Sequence, residues 1–470
     1  MEKVKDITEN LEYLNRVKDM NLGKNLKYYI LTMGCLLNEN DSEKIAGMLE
    51  EMGYSKTEDV SLANIIVFNT CCIRENAEEK LFGKLGEVKK YREENGAIIA
   101  IGGCMMQEKE IIEKMKTSYR FYDIIFGTHT MHKFPEDLYK ILNNKKRIED
   151  IEYIDGEIIE GLPIKREDNI RASVTIMNGC DNFCTYCIVP YVRGRERSRR
   201  AEDIINECEE LAKQGYKEIM LLGQNVNSYM RSERRKGENI GEIDSFAKLL
   251  RAIDKIEGIE KIRFTSPHPR DFTEDVIDAI KDSSKISRIL HLPLQSGSTN
   301  VLKRMNRSYT KEEFLNLVDR IREKIPDIKF STDIIVGFPG ESDSDFEDTL
   351  DVVKKVRFEQ VYMFIYSVRV GTPAEKMEDQ IPEEIKHERF DRLKKTAEDI
   401  IDELNDTYVG KTEKVLVEGY SKNNKEIKTG RTDSNKIVNF EAPDNLIGKM
   451  VDVKITENHK WYLGGEIIKE

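Results

Sequence analysis

Two long stretches of the chain alternate short apolar runs with amphipathic segments, and this alternation restricts the fold more than any other feature. In the first stretch the apolar runs are residues 28–33, 65–69, 98–101 and 124–126. The segments between them have helical spacing near residues 40–52, 77–91 and 108–115. Strands that alternate with helices form parallel sheets with helices on both faces. We predict an N-terminal αβα domain over residues 26–143, preceded by a charged helical lead-in at 1–25.

A second alternation follows a polar segment at residues 144–165, which is predicted to be a linker. Its apolar runs are residues 173–177, 219–222, 262–265, 289–294, 329–336 and 361–366. Six βα units over roughly 230 residues indicate a large α/β domain, either an open sheet or a partial barrel. We place this domain at residues 166–403.

The last part of the chain, residues 404–470, has a different pattern. Short apolar runs at 415–418, 436–440, 450–455 and 463–468 are separated by Gly, Asn and Asp turns. This pattern is typical of a small all-β barrel.

The composition limits where the protein works and what its cysteines do. The chain has 470 residues and a net charge of -12, so the molecule as a whole does not bind phosphate as a polycation. The N-terminus has no apolar signal core, and no apolar run approaches the roughly 18 residues of a membrane span. We predict a cytoplasmic protein. In that compartment the eight cysteines are expected to be buried, metal-binding or catalytic, not disulfide-bonded.

Cys180, Cys184 and Cys187 form a C-x3-C-x2-C triplet just after a predicted strand. A structural zinc site requires four ligands, and no fourth Cys or His follows at close range. Three thiolates on a four-iron cluster leave one iron open to bind and reduce a small molecule. A zinc site with a distant fourth ligand, or three incidental thiols, is the alternative.

Cys35, Cys71 and Cys104 are far apart in sequence, but each follows a predicted strand of the N-terminal domain. The carboxyl ends of parallel strands share one edge of a sheet, so the three thiols are expected to converge there. Ordinary buried core cysteines are the alternative.

Basic residues are concentrated in two places. Residues 193–200 hold five arginines in eight positions, directly after the cysteine triplet. Residues 422–436 of the C-terminal module hold five Lys or Arg against two acids. Guanidinium groups suit phosphate recognition, and small β-barrels with basic loops often bind RNA. A solvated loop with incidental ion pairs is the alternative for the arginine segment.

The triplet resembles that of the radical S-adenosylmethionine (SAM) superfamily. Gly179 and Tyr186 fit this resemblance, as do Leu222-Gly223-Gln224-Asn225 and Asp333-Ile334-Ile335-Val336-Gly337-Phe338-Pro339-Gly340. The resemblance implies a 4Fe-4S cluster on Cys180, Cys184 and Cys187 that cleaves SAM to a radical. It also implies a set of cofactor-binding residues: Tyr186, Gly223, Gln224, Asn225, Ser296, Asp333 and Gly337.

The N-terminal motifs resemble those of the methylthiotransferase family within that superfamily. They are Thr32-Met33-Gly34-Cys35 with Asn38, Asp41 and Ser42; Asn69-Thr70-Cys71 with Ile73-Arg74-Glu75; and Gly102-Gly103-Cys104. In that family the three cysteines hold a second, sulfur-carrying 4Fe-4S cluster. The motif register favours Cys71 over its neighbour Cys72 as the ligand. Cys208 lies in a helical segment and is predicted to belong to the core or to the helix surface.

The C-terminal module resembles the TRAM domain, an RNA-binding barrel. The matching segments are Glu418-Gly419, Ser421-Lys422, Gly430-Arg431-Thr432 and Asn435-Lys436-Ile437-Val438-Asn439-Phe440. The candidate RNA-binding residues of the whole chain are Arg195, Arg197, Arg200, Lys422, Arg431 and Lys436.

The family resemblance implies a transferase that adds a methylthio group to C2 of isopentenylated adenosine, next to the anticodon of tRNA. The expected partners are the tRNA substrate, an electron donor such as flavodoxin or ferredoxin, and a sulfur source, and the expected state is a monomer without a membrane. Sister enzymes acting on threonylcarbamoyl-adenosine of tRNA or on a ribosomal-protein aspartate are alternatives, as is a non-catalytic RNA-binding zinc protein.

Overall fold

The computed structural model describes residues 2–72, 77–153, 158–238, 240–422 and 424–468. The N-terminal elements are α1 (Glu2–Asn21), β1 (Leu26–Thr32), α2 (Leu36–Glu51), β2 (Tyr54–Lys56), β3 (Ile65–Thr70), α3 (Ala77–Asn95), β4 (Ile98–Gly103), α4 (Lys109–Ser118), β5 (Ile124–Phe126), α5 (Phe134–Leu142) and β6 (Ile148–Asp150). The strands form one six-stranded parallel sheet in the order β2-β1-β3-β4-β5-β6.

This sheet confirms the predicted αβα arrangement. Successive side chains of a strand point to opposite faces, and β3 is buried along its whole length. Its Ile65 and Val67 pack on the side of α1, α2 and α5, while Ile66 and Phe68 pack on the side of α3 and α4. The strands β2 and β6 have no counterpart in the prediction, because in each only the first of three residues is buried, so neither forms an apolar run.

The segments before and after this sheet are packed against it. Leu14 and Val17 of α1 are buried in the core with α2 and α5. The polar segment 144–165 contributes β6 to the sheet and then passes close to α2. A side chain on Gly47 of α2 would place its Cβ 2.4 Å from the carbonyl oxygen of Pro163.

The central elements are β7 (Arg171–Thr175), β8 (Met177–Asn178), α6 (Val189–Val192), β9 (Arg197–Ser198), α7 (Ala201–Lys213), β10 (Glu218–Leu222), α8 (Arg231–Lys236), α9 (Phe246–Asp254), β11 (Lys261–Phe264), α10 (Glu274–Asp282), β12 (Ile289–His291), α11 (Thr299–Arg304), α12 (Lys311–Lys324), β13 (Lys329–Val336), α13 (Asp343–Val356), β14 (Gln360–Ile365) and α14 (Glu383–Asp406). Strands β7, β10 and β11 form one parallel sheet, and β12, β13 and β14 form another.

A parallel bridge between Ile262 of β11 and Ile286, just before β12, joins the two sheets. The strand order is therefore β7-β10-β11-β12-β13-β14, which is the partial barrel and not the open sheet among the two predicted alternatives. All six predicted strands are confirmed. The carboxyl ends of the six strands face the same way, so the loops that follow them share one mouth.

The C-terminal elements are β15 (Thr412–Ser421), β16 (Asn424–Thr432), β17 (Ile437–Glu441), β18 (Met450–Asn458) and β19 (Leu463–Ile467). They close into a barrel in the order β15-β16-β17-β19-β18, around a core that includes Val417, Val438, Phe440 and Ile455. The all-β prediction is confirmed. Strand β16 has no counterpart in the prediction, because its first half is polar and exposed.

This closed barrel packs against the amino ends of the partial-barrel strands, away from the mouth. Lys261 Nζ at the start of β11 donates to the carbonyl oxygen of Thr432 at 3.3 Å. Ser287 Oγ, before β12, donates to the carbonyl oxygen of Asp433 at 2.8 Å. Among the helices of the described residues, none has the length and apolar character that a membrane span requires.

Candidate active site

The cysteine triplet lies in a loop that leaves the mouth of the partial barrel after β7 and β8. The antiparallel pair of β8 and β9 closes the base of this loop. Gly179 has φ +78°, and a side chain there would place its Cβ 2.1 Å from the carbonyl oxygen of Arg195. The Cys180 N–H donates to the carbonyl oxygen of Gly194 at 3.2 Å. Only glycine permits this close crossing of the two sides of the loop.

The three thiols of the triplet are close enough to influence one another. Cys180 and Cys184 are buried and Cys187 is half-buried. Burial raises the pKa of Cys180 and of Cys187 to about 12, and the neighbouring Cys184 adds to both shifts. A cation or cluster that binds these thiols must therefore supply the energy of their deprotonation.

In the part of the chain that the structure describes, no three Cys, His, Asp or Glu side chains meet closely enough to hold one metal ion.

Buried side-chain oxygens without hydrogen-bond donors lie at the strand ends around the mouth. Gln224 and Asn225 follow β10, and Asn178 ends β8. Their buried side-chain oxygens accept no hydrogen bond from any described residue. Tyr186 packs with Phe338 and Tyr366. Unsatisfied buried acceptors fit a ligand that donates hydrogen bonds, and an aromatic side chain fits a flat apolar group.

The other predicted cofactor residues lie at the same mouth, but the fold already uses several of them. A side chain on Gly223 would place its Cβ 2.5 Å from Met177 Cγ. Ser296 is buried, and its hydroxyl accepts from the Ser298 N–H at 3.2 Å. Asp333 Oδ2 lies 3.4 Å from His291 Nε2.

Gly337 is required by packing as well as by its position. It has φ +73°, and a Cβ there would lie 2.3 Å from Lys386 Cγ in α14. The Gly337 and Phe338 N–H groups both donate to the Glu341 carboxylate. Burial raises the pKa of Glu341 to about 7.

The N-terminal cysteines follow three adjacent strands, β1, β3 and β4. Cys35 is the N-cap of α2, Cys71 follows β3 directly, and Cys104 begins a short 3-10 helix after β4. Gly34 has φ +141°, and a Cβ there would lie 2.8 Å from the Cβ of Cys71. The strand ends thus bring the three residues to one edge of the sheet, as the sequence predicts.

Asn38 is the centre of a polar network between these cysteines. Its Oδ1 lies 3.8 Å from Cys35 Sγ and 3.9 Å from Cys104 Sγ. Its Nδ2 donates to the carbonyl oxygen of Thr70 at 2.7 Å, and Asn69 Nδ2 donates to the carbonyl oxygen of Asn38 at 2.7 Å. The amides fix the edge on which the thiols stand. The Ile73-Arg74-Glu75 part of the second motif lies outside the described residues.

Cys72 is buried in the same place as the predicted ligands. Its thiol donates a hydrogen bond to Cys104, which lowers the pKa of Cys104 and raises that of Cys72. Both thiols pack with Ile188 and Val192. Cys208, in contrast, is buried among apolar residues in the core of the partial barrel, which is one of its two predicted positions.

The two cysteine sets lie near each other because the segment that follows Cys187 packs against the N-terminal sheet. Ile188 and Val192 lie just after Cys187 and pack on Cys72 and Cys104. Thr128 Oγ1, at the end of the N-terminal sheet, donates to the carbonyl oxygen of Val192 at 2.7 Å. The carboxyl edge of the first sheet therefore lies against the cluster-bearing loop of the barrel.

The arginine segment divides into buried and exposed members. Arg193 pairs with Asp41, and Arg199 pairs with Glu160 and Glu207. Arg195 and Arg200 are exposed and Arg197 is half-buried. The buried pairs hold neighbouring segments together, whereas Arg195 and Arg200 are exposed and Arg195 Nε lies 3.1 Å from Asp181 Oδ1.

The candidate RNA residues of the C-terminal barrel divide in the same way. Lys422 is exposed on the hairpin between β15 and β16. Lys436 Nζ lies 2.7 Å from Glu359 Oε2, and Arg431 Nε lies 3.3 Å from Glu418 Oε1. The last two side chains are engaged in ion pairs within the chain.

Two buried residues near the triplet have no counterpart in the predicted site. Arg307 Nη1 donates to Cys184 Sγ at 3.7 Å, and nothing in its sequence context indicates this contact. Glu196 is 1% exposed, and its carboxylate accepts no hydrogen bond from any described residue. Burial raises the pKa of Glu196 to about 7. In the sequence, only its position as the one acid among five arginines distinguishes Glu196 from an ordinary surface residue.

Three family models match the chain, one for each of its parts. They are the Uncharacterized protein family UPF0004 over residues 27–127, the Radical SAM superfamily over residues 174–353 and the TRAM domain over residues 406–468. The matches cover the N-terminal sheet, most of the partial barrel and the closed barrel.

Relatives align with nearly the whole chain. A protein of Acetivibrio thermocellus named tRNA-2-methylthio-N(6)-dimethylallyladenosine synthase is 52% identical over 462 residues, which is 98% of this chain and 95% of that protein. The chain belongs to the tRNA-2-methylthio-N(6)-dimethylallyladenosine synthase family. A protein of the same name in Clostridioides difficile is 50% identical over 98% of this chain and 94% of its own length.

A solved structure supports the fold assignment for this synthase family. The radical S-adenosylmethionine methyltransferase TsrM from Kitasatospora setae, with cobalamin and a 4Fe-4S cluster bound, matches with a TM-score of 0.51. The match covers 74% of each chain at 14% identity, so it bears on the fold alone.

Proposed function

We propose that this chain is a radical SAM methylthiotransferase that adds a methylthio group to C2 of N6-isopentenyladenosine, next to the anticodon of tRNA. The observation that carries the proposal is that the first cysteine set packs against the loop that bears the second set. Cys104 of the first set packs against Ile188 and Val192, which continue from Cys187 of the second set. A reaction that joins sulfur to a carbon radical needs two such centres at one substrate.

Cys180, Cys184 and Cys187 would hold a 4Fe-4S cluster that supplies the electron for reductive cleavage of SAM, and Cys35, Cys71 and Cys104 would hold a second cluster that supplies the sulfur. Cluster ligands must be deprotonated and oriented. Asn38 Nδ2 holds the Thr70 carbonyl oxygen next to Cys71, and Arg307 places a positive charge beside Cys184.

The SAM cradle is assigned to the strand ends of the partial barrel. Gln224 and Asn225 offer unsatisfied side-chain oxygens for the ammonium group, and Tyr186 offers an apolar surface for the adenine. Gly223, Ser296, Asp333 and Gly337 shape the mouth around them. The buried positions of Cys180 and Cys184 keep water away from the reacting centre.

The RNA contact is assigned to the exposed basic residues. Arg195 and Arg200 lie at the mouth side of the chain, next to the cluster loop, and Lys422 lies on the closed barrel. Arg197, Arg431 and Lys436 complete the set, although Arg431 and Lys436 are also ion-paired within the chain. We further propose an electron donor such as flavodoxin or ferredoxin, an external sulfur source and a monomeric enzyme.

The substrate assignment follows the names of the relatives. Proteins 52% and 50% identical to this chain carry the dimethylallyladenosine name, and this favours isopentenylated adenosine over threonylcarbamoyl-adenosine or a ribosomal-protein aspartate.

The first test is anaerobic iron, sulfide and zinc analysis of the reconstituted protein. About eight irons are expected, and about four in a Cys180→Ala/Cys184→Ala/Cys187→Ala variant. A Cys208→Ala variant is the matched control, because this buried cysteine belongs to neither set, and it should keep all of the iron. Four irons or fewer in the intact protein, with zinc in their place, would refute the two-cluster assignment.

The second test is mass spectrometry of nucleosides from tRNA treated with enzyme, SAM and a reductant. Methylthio-isopentenyladenosine should form on isopentenylated tRNA and be absent when either cysteine set is replaced. If product forms only on threonylcarbamoyl-adenosine, the chain has the activity of the sister enzymes instead.

A further inference from the structure

Arg193 crosses from the radical domain to the N-terminal cysteines. It lies at the C-cap of α6, and only 5% of the residue is exposed. Its Nε lies 3.1 Å from Cys104 Sγ. Its Nη2 lies 2.9 Å from Asn38 Oδ1 and 2.8 Å from Asp41 Oδ2. One guanidinium thus contacts a thiol, the amide between the thiols, and a carboxylate of α2.

The contact has a fixed geometry. The backbone is held on both sides of this residue, since the Arg193 N–H donates to the carbonyl oxygen of Val189 at 2.8 Å and the Cys180 N–H donates to the carbonyl oxygen of Gly194 at 3.2 Å. The carboxylate of Asp41 is mostly buried and holds the far edge of the guanidinium. A planar fork held in this way points one N–H at the sulfur with little rotational freedom.

We propose that Arg193 is a positioning residue for the N-terminal cluster, which it holds and tunes through the N–H contact to Cys104. The inference rests on the proposed function, since it takes Cys104 to be a cluster ligand. The reduction potential of the cluster in one domain is then set in part by a side chain of the other domain.

The direction of the effect follows from charge. Reduction adds one electron, and a buried positive charge with a hydrogen bond to a ligand sulfur stabilises the more negative state. Removal of the guanidinium therefore lowers the reduction potential. Low polarity strengthens the effect, because Cys104 is 2% exposed and Arg193 is 5% exposed.

Arg307 provides an internal comparison in the radical domain. It is buried, and its Nη1 lies 3.7 Å from Cys184 Sγ. Each cysteine set therefore has one buried guanidinium directed at one of its sulfurs. A change in Arg193 should act on the N-terminal cluster, and a change in Arg307 on the radical-domain cluster.

The experiment is an anaerobic redox titration of the reconstituted holoenzyme, followed by electron paramagnetic resonance. The Cys180→Ala/Cys184→Ala/Cys187→Ala variant assigns the signal of the N-terminal cluster. Loss of Arg193 alone would leave Asp41 as an unpaired buried carboxylate, so Arg193→Met is made together with Asp41→Asn and compared with Asp41→Asn alone.

The expected result is a lower potential of the N-terminal signal, or loss of its four irons, in Arg193→Met/Asp41→Asn relative to Asp41→Asn. Arg193→Lys keeps the charge and should recover part of the shift. Arg307→Met, which removes the charge beside Cys184, should move the other signal. An unchanged potential and iron content in the double variant, or equal losses in both variants, would overturn the inference. Absence of the N-terminal cluster from the unaltered protein would instead refute the proposed function.

Discussion

Lys436 Nζ lies 2.7 Å from Glu359 Oε2, where the C-terminal barrel meets the amino end of β14. The two side chains are 11% and 3% exposed, and the Tyr408 hydroxyl donates to Glu359 Oε1 at 3.3 Å. A lysine that the sequence marks as a candidate phosphate contact is therefore part of a buried ionic contact between domains.

The first prediction concerns the strength of this contact. Removal of one member of a buried pair costs about 3 kcal/mol at the lower end of such penalties, which applies here because Glu359 keeps Lys329 Nζ at 3.9 Å from its Oε1. We expect Lys436→Met to lower the free energy of unfolding by that amount, measured by denaturant titration. Lys422→Met, on the exposed hairpin of the same barrel, is the control and should be almost neutral. Equal, small effects of both changes would show that the pair does not hold the domains together.

Lys436 shows which side-chain contacts can be predicted from the sequence and which cannot. Cys35, Cys71 and Cys104 can be placed together from the sequence because parallel strands put their carboxyl ends on one edge. Lys436 and Arg193 cannot be placed, since their partners Glu359 and Cys104 are distant in sequence and belong to other domains. The local sequence shows that a residue is charged, but the packing of the domains decides whether water solvates that charge or another side chain pairs with it.

The second prediction concerns the turn before Cys35. Gly34 has φ +141°, and an alanine Cβ there would meet the Cβ of Cys71 at 2.8 Å. We expect Gly34→Ala to displace Cys71 and to remove about half of the iron, about four atoms per chain. The measurement is iron analysis after anaerobic reconstitution.

Gly83→Ala is the matched control for this change. Gly83 lies on the exposed side of α3 and would meet no atom within 4 Å. Alanine is favoured over glycine in a helix by roughly 0.5–1 kcal/mol, so this variant should keep its iron and gain slightly in stability. Full iron content in Gly34→Ala would mean that the Cys71 position tolerates displacement.

The third prediction separates the adjacent cysteines. Cys71 lies against Gly34 beside the thiol edge, whereas the Cys72 thiol donates to Cys104 and packs with Ile188. We expect Cys71→Ser to lose the N-terminal cluster and Cys72→Ser to retain it, measured by iron and sulfide content. The reverse pattern would make Cys72 the ligand and shift the motif register by one residue.

The fourth prediction concerns pH and lies far from the cysteines. Asp137 of α5 is 1% exposed, and burial, with a smaller effect from Asp150, raises its pKa to about 7. The unfolded carboxyl has a pKa of about 3.9, so between about pH 4 and pH 7 the folded chain keeps a proton that the unfolded chain releases. The free energy of unfolding therefore falls as pH rises through this window.

Asp137→Asn removes that penalty. We expect a gain in stability that is small at pH 5 and larger at pH 8 by roughly 2.5 kcal/mol, because the penalty grows by about 1.4 kcal/mol for each pH unit up to the pKa of the folded carboxyl. Glu87→Gln, an exposed carboxylate on α3, is the control and should leave the pH profile as it is. A pH-independent effect of Asp137→Asn would show that the carboxyl is charged in the folded protein at both values.

The last prediction tests the exposed arginines at the mouth. Arg195 and Arg200 face solvent beside the cluster loop, and each phosphate that they neutralise releases counterions. We expect Arg195→Ala and Arg200→Ala to weaken tRNA binding and each to reduce the slope of log Kd against log salt by about 1. Lys213→Ala is the control, because this exposed residue ends the helix that Arg200 begins and pairs with Glu210. If all three variants keep the slope of the unaltered protein, the tRNA backbone lies elsewhere, and the exposed Lys422 of the closed barrel becomes the next residue to replace.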